Sequence, residues 1–210
     1  MLRDLEGFAA LHNATDRQVE ALQVYDEELL STSAHTNLIA RSTLEDRWSR
    51  HYHDSAQLLP LLPKAPYRLL DLGTGAGFPG MVLRILTMEE EGARYTFCDS
   101  VQKKAAFLSR VAEKAQLPLA RIVPARAEQA FRDERFDVIT ARAVTNLTAL
   151  LSLAAPLLAT EGRLIAPKGR RAQVELDAAS EDWSFDLERH DSKTDAEASI
   201  LVLRNIEARP

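Results

Sequence analysis

The chain has 210 residues, of which 46% are apolar and 27% charged, with a net charge of −5 and one cysteine, Cys98. That composition excludes an unfolded chain and a disulfide framework, and the length excludes a large multidomain enzyme. No apolar run reaches the ~20 residues of a membrane span, and the N-terminus has neither the basic nor the apolar stretch of a secretion signal; a cytoplasmic location without a membrane partner is expected.

In chain order, the first sixty residues predict helices. Residues 15–31 place Val19, Leu22, Val24, Leu29 and Leu30 loosely on one helix face. A second helix is expected from Ser42 or Thr43, where the run to Asp46 resembles an acidic capping box, to Leu59, where Pro60 and Pro63 stop it. From residue 67 the pattern changes. Short apolar runs at 67–72, 95–99, 121–124, 136–140 and 162–166 read as buried strands, separated by helices at 80–87, 101–116 and 147–158. Residues 183–188 and 199–203 offer two further strands. The alternation predicts an α/β domain over residues 63–210, a three-layer, mostly parallel, seven-stranded sheet with helices on both faces, preceded by a helical N-terminal extension over residues 1–62.

Charge is unevenly spread along this plan. Residues 61–172 hold 17 Lys and Arg against 11 Asp and Glu, between two acidic flanks. A cationic middle suits an anionic ligand on one face, although an ordinary mixed surface gives the same count.

The most informative stretch is residues 71–80, DLGTGAGFPG, directly after the first strand. Glycine is required where the backbone takes positive φ or approaches a ligand closely. A strand, a glycine loop and a helix at the carboxyl edge of a sheet form a nucleotide-binding crevice. Gly75, Gly77 and Gly80 match the dinucleotide spacing, which alone is a weak signal. Asp71 favours S-adenosylmethionine instead, because a carboxylate at the strand end repels a pyrophosphate; it can hold the loop backbone or face a cationic amino group through water. The alternation of Gly73, Gly75 and Gly77 leaves room beside an uncharged nucleoside.

Asp99 ends the second strand, where a carboxylate accepts from ribose hydroxyls or caps the next helix. Ala127 and Glu128 follow the third strand, beside the expected adenine position, and Arg142 follows the fourth, where it borders the crevice or lies on the surface. The segment after the fourth strand has neither the Asn/Asp-Pro-Pro-aromatic turn used on exocyclic amines nor a cysteine nucleophile. A ring nitrogen with a free lone pair needs neither, so catalysis by positioning is compatible with this sequence. Lys168, Arg170 and Arg171 end the fifth strand and are candidates for RNA phosphates or a solvated loop; Arg41, Arg47 and Arg50 are weaker candidates. His51 and His53 do not share a helix face, so no metal site is expected, and Cys98 reads as a small core residue.

These motifs together resemble the bacterial 16S ribosomal RNA methyltransferase G family (glucose-inhibited division protein B). The resemblance runs from Asn37 to Leu203. It is carried by Asn37 and Leu38, by His51, Asp54 and Ser55, by the 71–80 loop, and by Asp99, Ser100, Lys103, Lys104, Phe107 and Leu108. Arg126, Ala127, Glu128, Arg142, Ala143, Lys168 and Gly169 complete it; Ile39 and Ala76 depart from the family's usual threonine and proline. The resemblance implies a Rossmann-like class I methyltransferase fold and methylation of guanine N7 in 16S rRNA or a small-subunit precursor. It further implies that Gly73, Phe78, the Ala127–Glu128 backbone and Arg142 contact S-adenosylmethionine, with Asp99 near the ribose. Arg142 and Lys168 would border the methyl-transfer site of an enzyme expected to act as a monomer. A nicotinamide-dependent oxidoreductase and a non-catalytic RNA-binding module are the alternatives.

Overall fold

Alternation of side chains along β1 (Tyr67–Leu72) divides the interior in two. Tyr67 and Leu69 enter one hydrophobic core and Leu70 and Leu72 enter the other, on the opposite face of the sheet. The computed structural model describes residues 2–210 and contains one seven-stranded sheet of order β3-β2-β1-β4-β5-β7-β6. Its strands are β1, β2 (Ala93–Cys98), β3 (Ala120–Val123), β4 (Phe136–Thr140), β5 (Leu158–Lys168), β6 (Trp183–Asp191) and β7 (Ser199–Ala208). β1 to β5 pair in parallel; β7 inserts antiparallel beside β5 and pairs with β6 at the edge.

The first core packs the sheet against α4 (Gly80–Leu86), α5 (Gln102–Lys114) and the N-terminal helices α1 (Leu5–His12) and α2 (Asp16–Ser33). The second packs it against α6 (Ala127–Ala130), α7 (Leu147–Ala154) and α8 (Ala172–Asp182). Phe8, Leu22, Tyr25, Trp48 and Tyr52 are buried in the same cluster as Phe97 and Phe107, so the N-terminal helices complete the sheet's cover. No helix is long and apolar enough to cross a membrane among the described residues.

The strands lie where the apolar runs place them, because strands buried on both faces are short and continuous in sequence. Two helices differ. The expected helix from Ser42 or Thr43 to Leu59 is broken: a 3₁₀ turn, Arg41–Thr43, precedes a π-helix, Trp48–His53, which continues as α3 (Asp54–Ala56). Thr43 does not cap it, since its hydroxyl donates to the Ala40 carbonyl at 2.7 Å. The capping box stands instead at α2, where Thr15 and Gln18 satisfy each other's backbone. Trp48 and Tyr52, four residues apart in the π-helix, stack at 4.1 Å in the core. α8 also escapes the sequence reading, its polar sequence burying only Ala172, Leu176 and Ala179.

Candidate active site

The crevice begins where β1 ends. Gly73, Gly75 and Gly77 all have positive φ, at 64°, 58° and 97°, so the loop alternates in and out of the left-handed region. A Cβ on Gly73 would meet Val144 at 2.7 Å, and one on Gly77 would meet Leu108, Met81 and the Tyr25 hydroxyl at 2.9 Å. A Cβ on Gly75 would approach nothing closer than the Gly73 carbonyl at 3.9 Å. Packing therefore requires glycine at the two ends of the loop, whereas the middle has an open side. That open side is where a ligand's approach would be blocked by a side chain, and it fits a nucleoside cofactor.

Two carboxylates brace this loop. Asp71, 1% exposed, accepts from the Thr74 hydroxyl and the Gly80 amide through Oδ2 and from the Thr140 hydroxyl, at 2.7 Å, through Oδ1. Of the two roles open to it, the structure shows it holding the loop. Burial pushes its carboxyl up to about 6, against the pull of those donors and of Arg142. Asp99, 9% exposed, accepts from the Gly75 amide at 2.9 Å and the Val101 amide at 2.8 Å, one on each oxygen. It thus fastens the loop to the start of α5, where the Lys104 ammonium also lies 3.7 Å from Oδ2, and each oxygen keeps a lone pair beyond those two amides. Ala127 is buried at the start of α6, and Glu128 beside it is exposed. Cys98 lies buried at the end of β2, donating to the Ala125 carbonyl, and burial pushes its thiol up to about 11. It has the small core role the sequence suggests.

Arg142 is drawn inward. Its guanidinium lies 5.3 Å from the Phe78 ring centroid and pairs with Asp54 at 3.0 Å. It also donates to the Arg50 carbonyl at 3.3 Å and to His51 Nδ1 at 3.1 Å. Because arginine is only a donor, His51 Nδ1 accepts, so the ring proton sits on Nε2 and is directed to the Thr43 hydroxyl at 2.8 Å. Burial first, then Arg142, lowers the His51 imidazole to about 4, so it is neutral at pH 7. His51 stacks on Phe78 at 5.1 Å, and Tyr25 donates to the Ala76 carbonyl at 2.6 Å. The N-terminal segment is therefore built into the glycine loop. Asp54 also accepts from Thr194 at 2.6 Å, joining the segment to the β6–β7 turn.

Beside the loop, over the carboxyl ends of β4 and β5, lies a cavity of about 450 Å³. His51, Asp54, Arg142, Lys168, Glu175 and Thr194 are among its lining residues. The size is that of a small-ligand site. Lys168 faces this cavity and does not share the solvent-exposed placement of Arg170 and Arg171. Its ammonium donates to Glu175 at 2.8 Å and to the Thr145 carbonyl at 2.9 Å, and its side chain is 10% exposed. An RNA phosphate role requires an available charge, and the structure spends that of Lys168 on Glu175. Arg47 is likewise engaged, with both oxygens of Asp26. The sequence reading missed Glu175, since no motif marks it, and left Asp54 and His51 without a role. The spacing of three between His51 and Asp54 is the only mark they leave in the sequence. His53 pairs with His12 at 3.0 Å, and among the described residues no group of three or more His, Cys, Asp or Glu is placed to hold a metal.

Comparison with solved structures supports the fold. An O-methyltransferase from Bacillus cereus in complex with SAH aligns with TM-score 0.60 at 15% identity, covering 87% of this chain and 91% of that one. A SAM-dependent methyltransferase from Aquifex aeolicus aligns at 0.58 and 13% identity, over 75% and 91%. Closer in sequence are proteins named ribosomal RNA small subunit methyltransferase G. The one from Rhodospirillum centenum is 42% identical over 96% of this chain and 91% of its own length. That from Zymomonas mobilis is 40% identical over 90% and 86%. The family model described as rRNA small subunit methyltransferase G matches residues 18–201, which span the glycine loop, the Asp54–Arg142 pair and the cavity. The chain belongs to the rRNA small subunit methyltransferase G family.

Proposed function

We propose that this protein transfers the methyl group of S-adenosylmethionine to N7 of a guanine in 16S rRNA, on the rRNA or a small-subunit precursor. The observation that carries the reading is the junction of two sites. The glycine loop is open at Gly75, and Arg142, which lines the 450 Å³ cavity, lies 5.3 Å from the ring of Phe78 in that loop and so links the two. A cofactor on the loop and a base in the cavity would be neighbours, which is what an in-line displacement needs.

The cofactor supplies an electrophilic methyl on a sulfonium. Gly73, Gly75 and Gly77 shape its cradle, Phe78 lines it, Asp99 offers its remaining lone pairs to sugar hydroxyls, and Ala127 and Glu128 offer backbone groups to the adenine edge. Arg142 and Lys168 border the transfer site. Guanine N7 has a lone pair and no proton, so no general base is required. This agrees with His51, whose ring nitrogens are both engaged by Arg142 and Thr43. The chain's contribution is orientation and exclusion of water. Arg170 and Arg171, exposed next to Gly169 at the cavity, and the exposed Arg50 at its lining would contact RNA phosphates, a reading their exposure supports. Residues 1–62 form the helical extension and residues 63–210 the methyltransferase domain of a monomer acting in the cytoplasm.

The test is methyl transfer from labelled S-adenosylmethionine to small ribosomal subunits, with the modified base mapped by mass spectrometry in cells with and without the gene. One guanine losing N7 methylation on deletion is the expected result. Labelling at another base, or none, overturns the reading.

A further inference from the structure

The Lys168–Glu175 pair has hydrogen-bonding capacity left over, and both residues line the cavity. A lysine ammonium has three N–H donors. Two are taken, by the Thr145 carbonyl at 2.9 Å and by Glu175 Oε2 at 2.8 Å, which leaves one. Glu175 Oε2 also accepts from the Leu147 amide at 2.9 Å, whereas Oε1 has no partner among the described residues. The ion pair thus keeps one donor and one acceptor unspent, on two bonded residues that both line the cavity. The other two carboxylates that line the cavity do not compete. Asp54 has both oxygens engaged, by Arg142, Thr194 and Gln57, and Asp195 is exposed, capping the Glu197 amide.

A donor beside an acceptor is the complement of one base edge. Guanine carries the acceptor O6 next to the donors N1–H and N2–H. Adenine carries a donor at N6 next to an acceptor at N1, the reverse order. We propose that Lys168 and Glu175 determine base specificity in this cavity, Lys168 donating to O6 and Glu175 Oε1 accepting from N1–H and the N2 amino group of the acceptor guanine. This rests on the guanine reading above and extends it by naming which residues choose the base. The salt bridge holds both groups before the base arrives. A base with the wrong pattern meets two donors or two acceptors face to face, and polar groups covered by the base yet left unpaired are what reject it.

Glu175→Gln tests the assignment. The amide oxygen keeps its place on Lys168 and the Leu147 amide, so the –NH₂ takes the Oε1 position and turns an acceptor into a donor. Small subunits are assembled with rRNA carrying guanine, inosine or 2-aminopurine at the mapped methylation site. kcat/KM is measured for each with the full-length wild type and variant. Ratios between bases are compared across the two proteins, so that differences in the intrinsic reactivity of N7 cancel. In the variant, kcat/KM on guanine should fall about 10- to 100-fold while the preference for guanine over 2-aminopurine, whose N1 accepts, shrinks by a similar factor. Calorimetric affinity for S-adenosylmethionine should be unchanged. Equal losses on all three bases, or no loss on guanine, overturn the proposal. Should the variant not fold, Glu175→Asp keeps the charge but withdraws the acceptor and must show the same narrowing. Failure of the wild type to methylate guanine at all would refute the proposed function instead.

Discussion

Replacing Asp71 by asparagine removes a negative charge from a site that is 1% exposed while keeping the shape of the side chain. An amide oxygen in place of Oδ2 retains the bonds from Thr74 and the Gly80 amide, and the Thr140 hydroxyl can rotate to accept from the new N–H. What changes is the charge. Burial raises the folded-state carboxyl from 3.8 to about 6. A carboxyl raised in this way contributes its full stability below the unfolded value and loses that contribution as pH climbs through the folded one. At about 1.4 kcal/mol per pH unit, the gap amounts to about 3 kcal/mol. Urea denaturation of wild type and Asp71→Asn from about pH 4 to about pH 8 makes the comparison, because every other titrating group cancels in the difference. The variant should gain about 2–3 kcal/mol on wild type across that range, most of it between pH 4 and 6. A difference that stays flat would mean that the carboxyl titrates alike in the folded and unfolded chain, and would refute the account of Asp71 as a costly ion kept for the loop it holds.

Gly75, in the middle of the loop, and Gly77, at its end, should separate folding from binding. Gly75→Ala has open space but a φ of 58°, so it should cost about 1–2 kcal/mol in denaturation and still abolish calorimetric binding of S-adenosylmethionine. Gly77→Ala meets three side-chain atoms at 2.9 Å as well, and its melting temperature should fall further than that of Gly75→Ala. Asp54→Asn removes the charge that holds Arg142; its kcat on small subunits should fall about 10-fold or more, whereas affinity for S-adenosylmethionine should stay within a few-fold of wild type. Replacing both Arg170 and Arg171 by alanine should weaken RNA binding at low salt and lower the slope of log K against log salt by about 1.5, read by filter binding at several salt concentrations.

How much was legible depended on what each feature is made of. The strand–loop–helix unit at 67–86 could be read directly: a strand buried on both faces is a contiguous apolar run, and the glycines mark backbone conformations that other residues resist. The N-terminal segment reads as an ordinary helix because its buried pair, Trp48 and Tyr52, is four residues apart, a spacing that suits an α-helix as well as the π-helix present, and the partners of His51 and Asp54, Phe78 and Arg142, lie far along the chain. α8 is polar along most of its length, and Glu175 on it looked like one surface acid among many.

The local order of the chain determined the individual buried strands, the glycine loop and the carboxylates at the ends of β1 and β2, since each depends on neighbours within a few positions. Tertiary structure alone decided which charges are free. Lys168 stands in sequence beside Arg170 and Arg171, yet it is 10% exposed and bound to Glu175, while both arginines are exposed. Arg142 meets Asp54, 88 residues earlier in the chain. A side chain's partner is set by distance in space, and a charge is spent or available according to that partner, which no local stretch of residues records.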